Sequence, residues 1–518
     1  MKKLFSASLL FLMFLVMAAC NGGSDTEAVS FSGVSNRTID VNASFNPLEG
    51  VTATDVQQGN ITAQVSVSGT VDTTTPGTYE LTYTVRGSDG KDYTATRTIT
   101  VAHSGPPEVI RIMTGAPYEI DPFHESYSGQ QQLLKQQKQR AVEAKYNVQI
   151  VYEMYPANAP WGPDRVTAIV QSSVSGQHLA DVYIISSDWI QALSNGDAIV
   201  SIDDYMETHG AHIHPSYQDI GSYRGQQYGF STGNLTVANG LYYNADLVAS
   251  LGVANPTQLF LDGEWTWSRM DTWATQVQTA MNALGDDYYA LGGVPAIYAY
   301  SMIALNGGSL INAAAERVAF HLPPALQTYE YLNSLFEKGV FEIAPQYDAG
   351  SPAWQTGKVA LHPGSFWFLT APNRWGNLAF EIGFVPFPVS DTFTGDYVSP
   401  ISGVSLYTLA SGMTPAREEL VFQVWSELQV WKTDAELRDE FELILMTRFD
   451  QQLYVDAYLE IYDKVYLELV NSIGISTYDP INGWSVNANL SVREGGWRTR
   501  METIQPIYAA ALEDYLGD

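Results

Sequence analysis

Two periodicities divide the chain. From Phe31 to Val101 apolar and polar residues alternate with a period of two, most clearly over Ile61–Val67, Tyr79–Val85 and Tyr93–Val101. Turn signals separate these runs: Gln58-Gly59-Asn60, Thr75-Pro76-Gly77 and Asp89-Gly90. Short strands at this spacing predict a small antiparallel β-sandwich over residues 31–102. The linker AHSGPP, Ala102 to Pro107, ends the alternation. Beyond it, strand-like and helix-like stretches take turns. Val109–Met113, Val148–Tyr152 and Ala180–Ile185 read as strands, and Gln130–Tyr146 and Arg165–Ser175 as helices. That succession predicts a mostly parallel α/β sheet. Ligands of such sheets sit beyond the C-terminal ends of the strands. The loops there carry Glu125, then Trp161, then Asp188 and Trp189.

The second half is aromatic. A strand Gly240–Asn244 contains Tyr242 and Tyr243, and a helix from Ala245 to Leu251 is closed by Gly252. Trp265-Thr266-Trp267 leads into another helix, with Thr266 or Ser268 as its N-cap. Such rings either fill a core or line a binding face. Leu326–Gly339 reads as a helix, and Trp354 precedes a strand that starts at Lys358 and runs out at Trp367. Gly403–Ala410 is a strand. The remainder reads as helical to Ser472, and Trp497 sits in a late turn before the last helix.

The N-terminus pairs Lys2-Lys3 with an apolar run, Leu4 to Val16, and then Met17-Ala18-Ala19-Cys20. This is a signal-peptide pattern. Its last four residues resemble a bacterial lipobox, which implies cleavage after residue 19 and lipid attachment at Cys20. A plain signal peptide is the other reading. Cys20 is the one cysteine, so no intramolecular disulfide forms. Residues 20–30 are small and polar, as in a flexible tether.

A length of 518 residues predicts two or three domains. Acidic residues number 56 against 26 basic, a formal charge of −30. That balance argues against a nucleic-acid partner, which needs clustered Lys and Arg, and disfavours anionic substrates. All 12 Trp lie at or after Trp161, so the tryptophan-rich part is distinct from the β-module. His209, His212 and His214 crowd one loop without cysteines or suitably spaced carboxylates, so neither a metal nor a cofactor is predicted. No G-x-S-x-G, H-E-x-x-H or Walker A motif is present.

The segment GLYYNADLVASLGVANPTQLFLDGEWTWSRM, Gly240 to Met270, resembles family 1 extracellular solute-binding proteins, the sugar-type binding subunits of ABC importers. Gly225–Phe230 is similar to that family's strand pair before the first crossover, with Ser231 in place of the usual proline. Leu305–Ser309 and Lys358–Phe368 match further family turns and strands. The stretch from Gly59 to Val101 resembles bacterial immunoglobulin-like modules, and its departure at Asp55–Asn60 weakens any calcium site. The resemblance implies two hinged lobes, about 108–230 with 404–470 and about 231–400 with 471–518. It implies a neutral carbohydrate held between them, with an ABC permease and a separate ATPase as partners. It also implies a lipid-anchored, monomeric, non-enzymatic protein outside the membrane of a Gram-positive-type or wall-less bacterium. Trp367, Asp188 and Trp189 are the leading ligand contacts so implied, followed by Trp267, Tyr243, Trp265, Trp161, Trp354, Glu125 and Trp497. Asp188 either accepts sugar hydroxyls or caps the helix Trp189–Leu193, and the two roles are compatible. A glycoside hydrolase with two carboxylates, an adhesin, or an oligopeptide as ligand are the rival readings.

Overall fold

The computed structural model describes residues 28–343, 350–371 and 373–517. Cys20 and the leader lie outside the described residues. The chain divides at Pro107 into two units.

In the first unit the long strands Gly77–Arg86 and Asp92–Ala102 form a hairpin, in register from Gly77↔Val101 to Arg86↔Asp92. Their alternation buries Leu81, Tyr83, Val85, Ile99 and Val101 against Ala53 of a second, three-stranded sheet. Two details depart from the sequence reading. Arg37–Asp40 pairs parallel, not antiparallel, with Asp92–Ala102. The expected strand Ile61–Val67 is interrupted by a 3-10 turn, Thr62–Gln64. The Thr62 amide donates to Asn60 Oδ1 (3.0 Å), and Thr62 Oγ1 accepts from the Ala53 amide (3.0 Å). Side chains thus satisfy backbone groups that a ladder would otherwise take. Asp55 is spent in the same way. Its buried carboxylate accepts from the amides of Ser88, Gln58 and Gln57, and these bonds, that of Ser88 foremost, draw its pKa down to about 2.

The second unit has two cores, hence two lobes. The first-lobe sheet runs in the order Ile199–Val200, Ser405–Ala410, Val182–Ser186, Glu108–Thr114, Val148–Met154. Its last three strands are parallel, and Ser405–Ala410 is antiparallel to its neighbours. All the parallel strands therefore end on one edge. The second-lobe sheet is ordered Tyr289–Leu291, Val359–Ser365, Asn239–Asn244, Ile382–Val385. Asn239 pairs with Ser365, so the chain enters this lobe beside the place where Val359–Ser365 ends.

The helices Asp434–Met446 and Gln452–Ile461 pack on the second core through Leu445, Tyr454 and Tyr458, and the Tyr458 ring stacks on Phe384 at 4.5 Å. The second lobe therefore includes most of the 404–470 stretch that the sequence assigned to the first. The helical reading also ends too late. Val465–Leu467 is a strand, paired in parallel with Ser399–Ile401. This pair lies where the chain passes between lobes. Directly after it comes Glu468, fully buried, whose carboxylate accepts from the amides of Leu310 and Ile311 (both 2.9 Å) and from Tyr466 Oη (3.3 Å). Burial outweighs those donors and pushes its pKa up to about 7. Among the described residues no helix is long and apolar enough to cross a membrane.

Candidate functional site

The first-lobe strand ends gather an aromatic corner. Tyr155 follows Val148–Met154, and Trp161 lies in the Pro-rich loop after it. Trp189 closes the turn after Val182–Ser186. The Trp161 and Trp189 rings are 4.5 Å apart at 54°, and Trp161 remains 64% exposed. Arg165, in the first turn of Pro163–Val174, lies beneath both. Its guanidinium carbon is 4.1 Å from the Tyr155 ring centroid, 5.3 Å from Trp161 and 6.0 Å from Trp189. Its Nε donates to the Ala159 carbonyl (3.3 Å), which ties the Trp161 loop to the helix. Burial holds its pKa below the ordinary guanidinium value. A stacked cation fixes ring orientation and leaves the outer face of Trp161 open to solvent.

Asp188 is half-buried beside this corner. Its Oδ1 accepts from the Gly403 amide (3.0 Å) and Ser472 Oγ (3.2 Å), and Oδ2 accepts from Ser186 Oγ (3.5 Å). The helix that follows has no side-chain cap. Asp188 therefore joins the end of a first-lobe strand to two of the passages between lobes instead of capping. Burial raises its pKa above the ordinary aspartate value. Gly403 has φ +64°, and a Cβ there would meet Asp188 Oδ2 at 3.0 Å, so glycine is needed for this approach. Ser402 Oγ is shared by Tyr300 Oη (3.1 Å) and Asn471 Nδ2 (2.9 Å). Hydroxyls and an amide thus line the passages next to the carboxylate.

In the second lobe Trp367 lies just past Ser365, on the edge where the chain enters from the first lobe. It is 52% exposed, with its ring edge-on to Phe368 at 4.6 Å and the Arg374 guanidinium over its face at 5.2 Å.

Four expected contacts are core residues. Tyr243 is fully buried, with its hydroxyl bonded to Asn255 Oδ1 (2.9 Å) and Thr257 Oγ1 (2.8 Å). Trp265 donates its Nε1 to the Pro386 carbonyl (3.0 Å) and sets its ring against Trp273. Trp267 stacks on Tyr331 at 4.7 Å and 14°, so one of its faces is taken, and only 8% of it is exposed. Trp354 is enclosed by His362, Trp375 and Phe380 at 5.1–5.3 Å. These rings belong to the second-lobe core: each is buried there and packs against neighbouring rings, and Tyr243 and Trp265 also bond their polar atoms inside it. Trp497 is half-buried against the same core, and Glu125 is exposed on its loop. Thr266, not Ser268, is the N-cap of Trp267–Met281. Tyr155 and Arg165 escaped the sequence reading. The available signal was an aromatic directly after a parallel strand and an arginine one helical turn beyond a proline-rich loop.

The family model of bacterial extracellular solute-binding proteins matches residues 131–407, more than half the chain, and that of the bacterial surface protein Ig-like domain matches residues 29–101. No curated protein matches the sequence. Among solved structures, the chain is similar to the cyclic α-maltosyl-1,6-maltose binding protein of Arthrobacter globiformis, with a TM-score of 0.57 and 14% identity, covering 79% of this chain and 100% of the other. The acarbose-binding GacH receptor of Streptomyces glaucescens aligns over 79% of this chain and 100% of its own, with a TM-score of 0.54 and 14% identity. An ABC substrate-binding protein of Listeria monocytogenes, solved in complex with cycloalternan, aligns over 80% and 100%, with a TM-score of 0.54 and 15% identity.

Proposed function

The chain belongs to the bacterial extracellular solute-binding proteins, and on that premise we propose that it captures an oligosaccharide between its two lobes and delivers it to an ABC permease. The observation that carries this reading is the Trp161–Trp189 corner, an exposed indole held over Arg165 at the strand ends, with the Asp188 carboxylate beside it. A pyranose offers an apolar C–H face and a rim of hydroxyls. Indole matches the face, and carboxylate and amide match the rim. Relatives of the same fold bind acarbose, cyclic maltosyl-maltose and cycloalternan, which supports glucan-type ligands. A micromolar affinity amounts to about 8 kcal/mol. Two or three stacked rings at about 1 kcal/mol beyond area burial, plus charge-assisted hydrogen bonds of roughly 1.5–3 kcal/mol each, reach that scale without any catalytic group. Trp367 supplies the second-lobe face, and closing the lobes on the ligand is the signal the permease reads. Lipid attachment at Cys20 is part of the same proposal, supported by the Met17–Cys20 pattern, and places the protein on the outer face of the membrane. The β-module serves as a spacer.

Tryptophan fluorescence titrated with linear and cyclic maltooligosaccharides tests the reading. Saturable binding with the oligosaccharide recovered intact supports it. Release of shortened products identifies a hydrolase instead, and a flat response to the whole series rejects the carbohydrate assignment.

A further inference from the structure

A cavity of about 360 Å³ opens between the lobes on the face of the first-lobe sheet covered by the helices Gln132–Tyr146 and Pro415–Leu428. Leu437, Glu440 and Ile444 of the second-lobe helix Asp434–Met446 form its far wall, and Thr232 and Gly233, where the chain first leaves the first lobe, form its end. Its volume is that of a small-molecule pocket. Trp161, Trp189, Asp188 and Trp367 do not line it.

The cavity's aromatic wall is Tyr152, Tyr407 and Trp425, with Trp425 5.1 Å from Tyr407 and 6.3 Å from Tyr152. Trp425 is 3% exposed, and its buried Nε1 donor has no acceptor. Buried indole N–H groups are normally paired, so an orphan in a cavity wall marks a place for an acceptor. A second donor has no carboxylate of its own. Lys432 is paired with Glu440 (2.5 Å), whereas half-buried Lys135 forms no ion pair among the described residues and lies 5.8 Å from the Tyr127 ring. Burial, and then the nearby Lys432 charge, hold its pKa below the ordinary lysine value, with Glu440 acting in the opposite direction. Glu119, whose pKa burial raises, is the other carboxylate of the wall. One further negative charge suits Lys135, and a second would meet Glu119 and Glu440.

We propose that this cavity is a second ligand site, for a small monocarboxylate with a hydroxylated body, whose carboxylate accepts from Lys135 and Trp425 Nε1. Because its walls come from both lobes, an occupant biases their relative position and is coupled to capture at the strand-end corner. That coupling is reciprocal: whatever factor the carboxylate applies to sugar affinity, the sugar applies to the carboxylate.

The probe is D-gluconate, with D-glucose as its neutral counterpart, in calorimetric titrations of the mature protein up to about 10 mM, a range that detects millimolar dissociation constants. We expect gluconate to bind wild type and the Trp161→Ala/Trp189→Ala double variant alike. We expect Lys135→Met to weaken it at least tenfold, with an unchanged circular dichroism spectrum. Trp425→Phe keeps the packing, removes the donor and should also weaken gluconate. Absence of gluconate heat in wild type overturns the proposal, as does equal binding by Lys135→Met. Lys135-dependent heat from glucose overturns the carboxylate assignment. Loss of gluconate binding in the double variant would show the ligand in the strand-end corner and equally overturn the second site. Failure of maltooligosaccharides to bind bears on the proposed function alone, since the gluconate titration does not use them.

Discussion

Glu468→Gln should abolish a pH dependence of stability that this single carboxyl imposes. In the folded protein its pKa is raised from 4.5 to about 7 by burial. As pH rises, the unfolded chain gives up this proton first. Between 4.5 and about 7 the native state holds a proton that the unfolded state has lost, so stability falls with rising pH across that window. The contribution is fully present below 4.5 and gone above about 7. At 1.36 kcal/mol per unit, the displacement corresponds to about 3 kcal/mol. Glutamine copies the protonated form. It keeps one acceptor for the Leu310 and Ile311 amides and leaves the other amide poorly served, at about 1–3 kcal/mol. Near pH 4.5 the variant should therefore be less stable than wild type by about that 1–3 kcal/mol. By pH 8 the variant should have gained about 3 kcal/mol relative to wild type. Urea unfolding followed by tryptophan fluorescence reads the relevant unit alone, because all 12 Trp lie at or after Trp161. Other buried carboxyls tilt both curves, so the difference between curves is the quantity to measure. A constant difference from pH 4.5 to 8 would refute the reasoning.

Trp161→Ala should weaken oligosaccharide binding about fivefold, the loss of one stacked ring at about 1 kcal/mol, and leave the unfolding midpoint in place because the ring is 64% exposed; calorimetry beside urea unfolding checks both halves. Trp265→Ala should do the opposite, costing about 3–5 kcal/mol of stability through a core cavity and an orphaned Pro386 carbonyl, with ligand affinity of the folded fraction retained. Cys20→Ser should move the protein from the membrane fraction to the medium; continued membrane retention would exclude the lipid anchor.

Periodicity made much of the architecture legible. The hairpin Gly77–Arg86/Asp92–Ala102 and the strands Glu108–Thr114, Val148–Met154 and Val182–Ser186 all lie where alternation or short apolar runs put them. What sequence carried poorly was exposure. Trp265 and Trp161 look alike as letters, and only tertiary packing decides that one donates to Pro386 while the other faces solvent. The strand Val465–Leu467 was missed because three residues set no period, and its partner, Ser399–Ile401, lies far away in sequence. The helices after residue 433 were assigned to the wrong lobe for a related reason. An amphipathic stripe says that a helix packs, not on which core. Asp188 was found from its place after a strand, but its bond to Gly403 depends on a contact 215 residues away.

The parallel pair Ser399–Ile401 and Val465–Leu467 also restricts how the halves travel. Two ribbons joined edge to edge by backbone bonds flex readily out of their common plane, yet resist slipping lengthwise past each other. Motion then approximates that of a book about its spine, and sliding is suppressed. Fluorophores carried on Trp161-side and Trp367-side cysteines should draw together on saturation, while a pair flanking the spine holds its spacing.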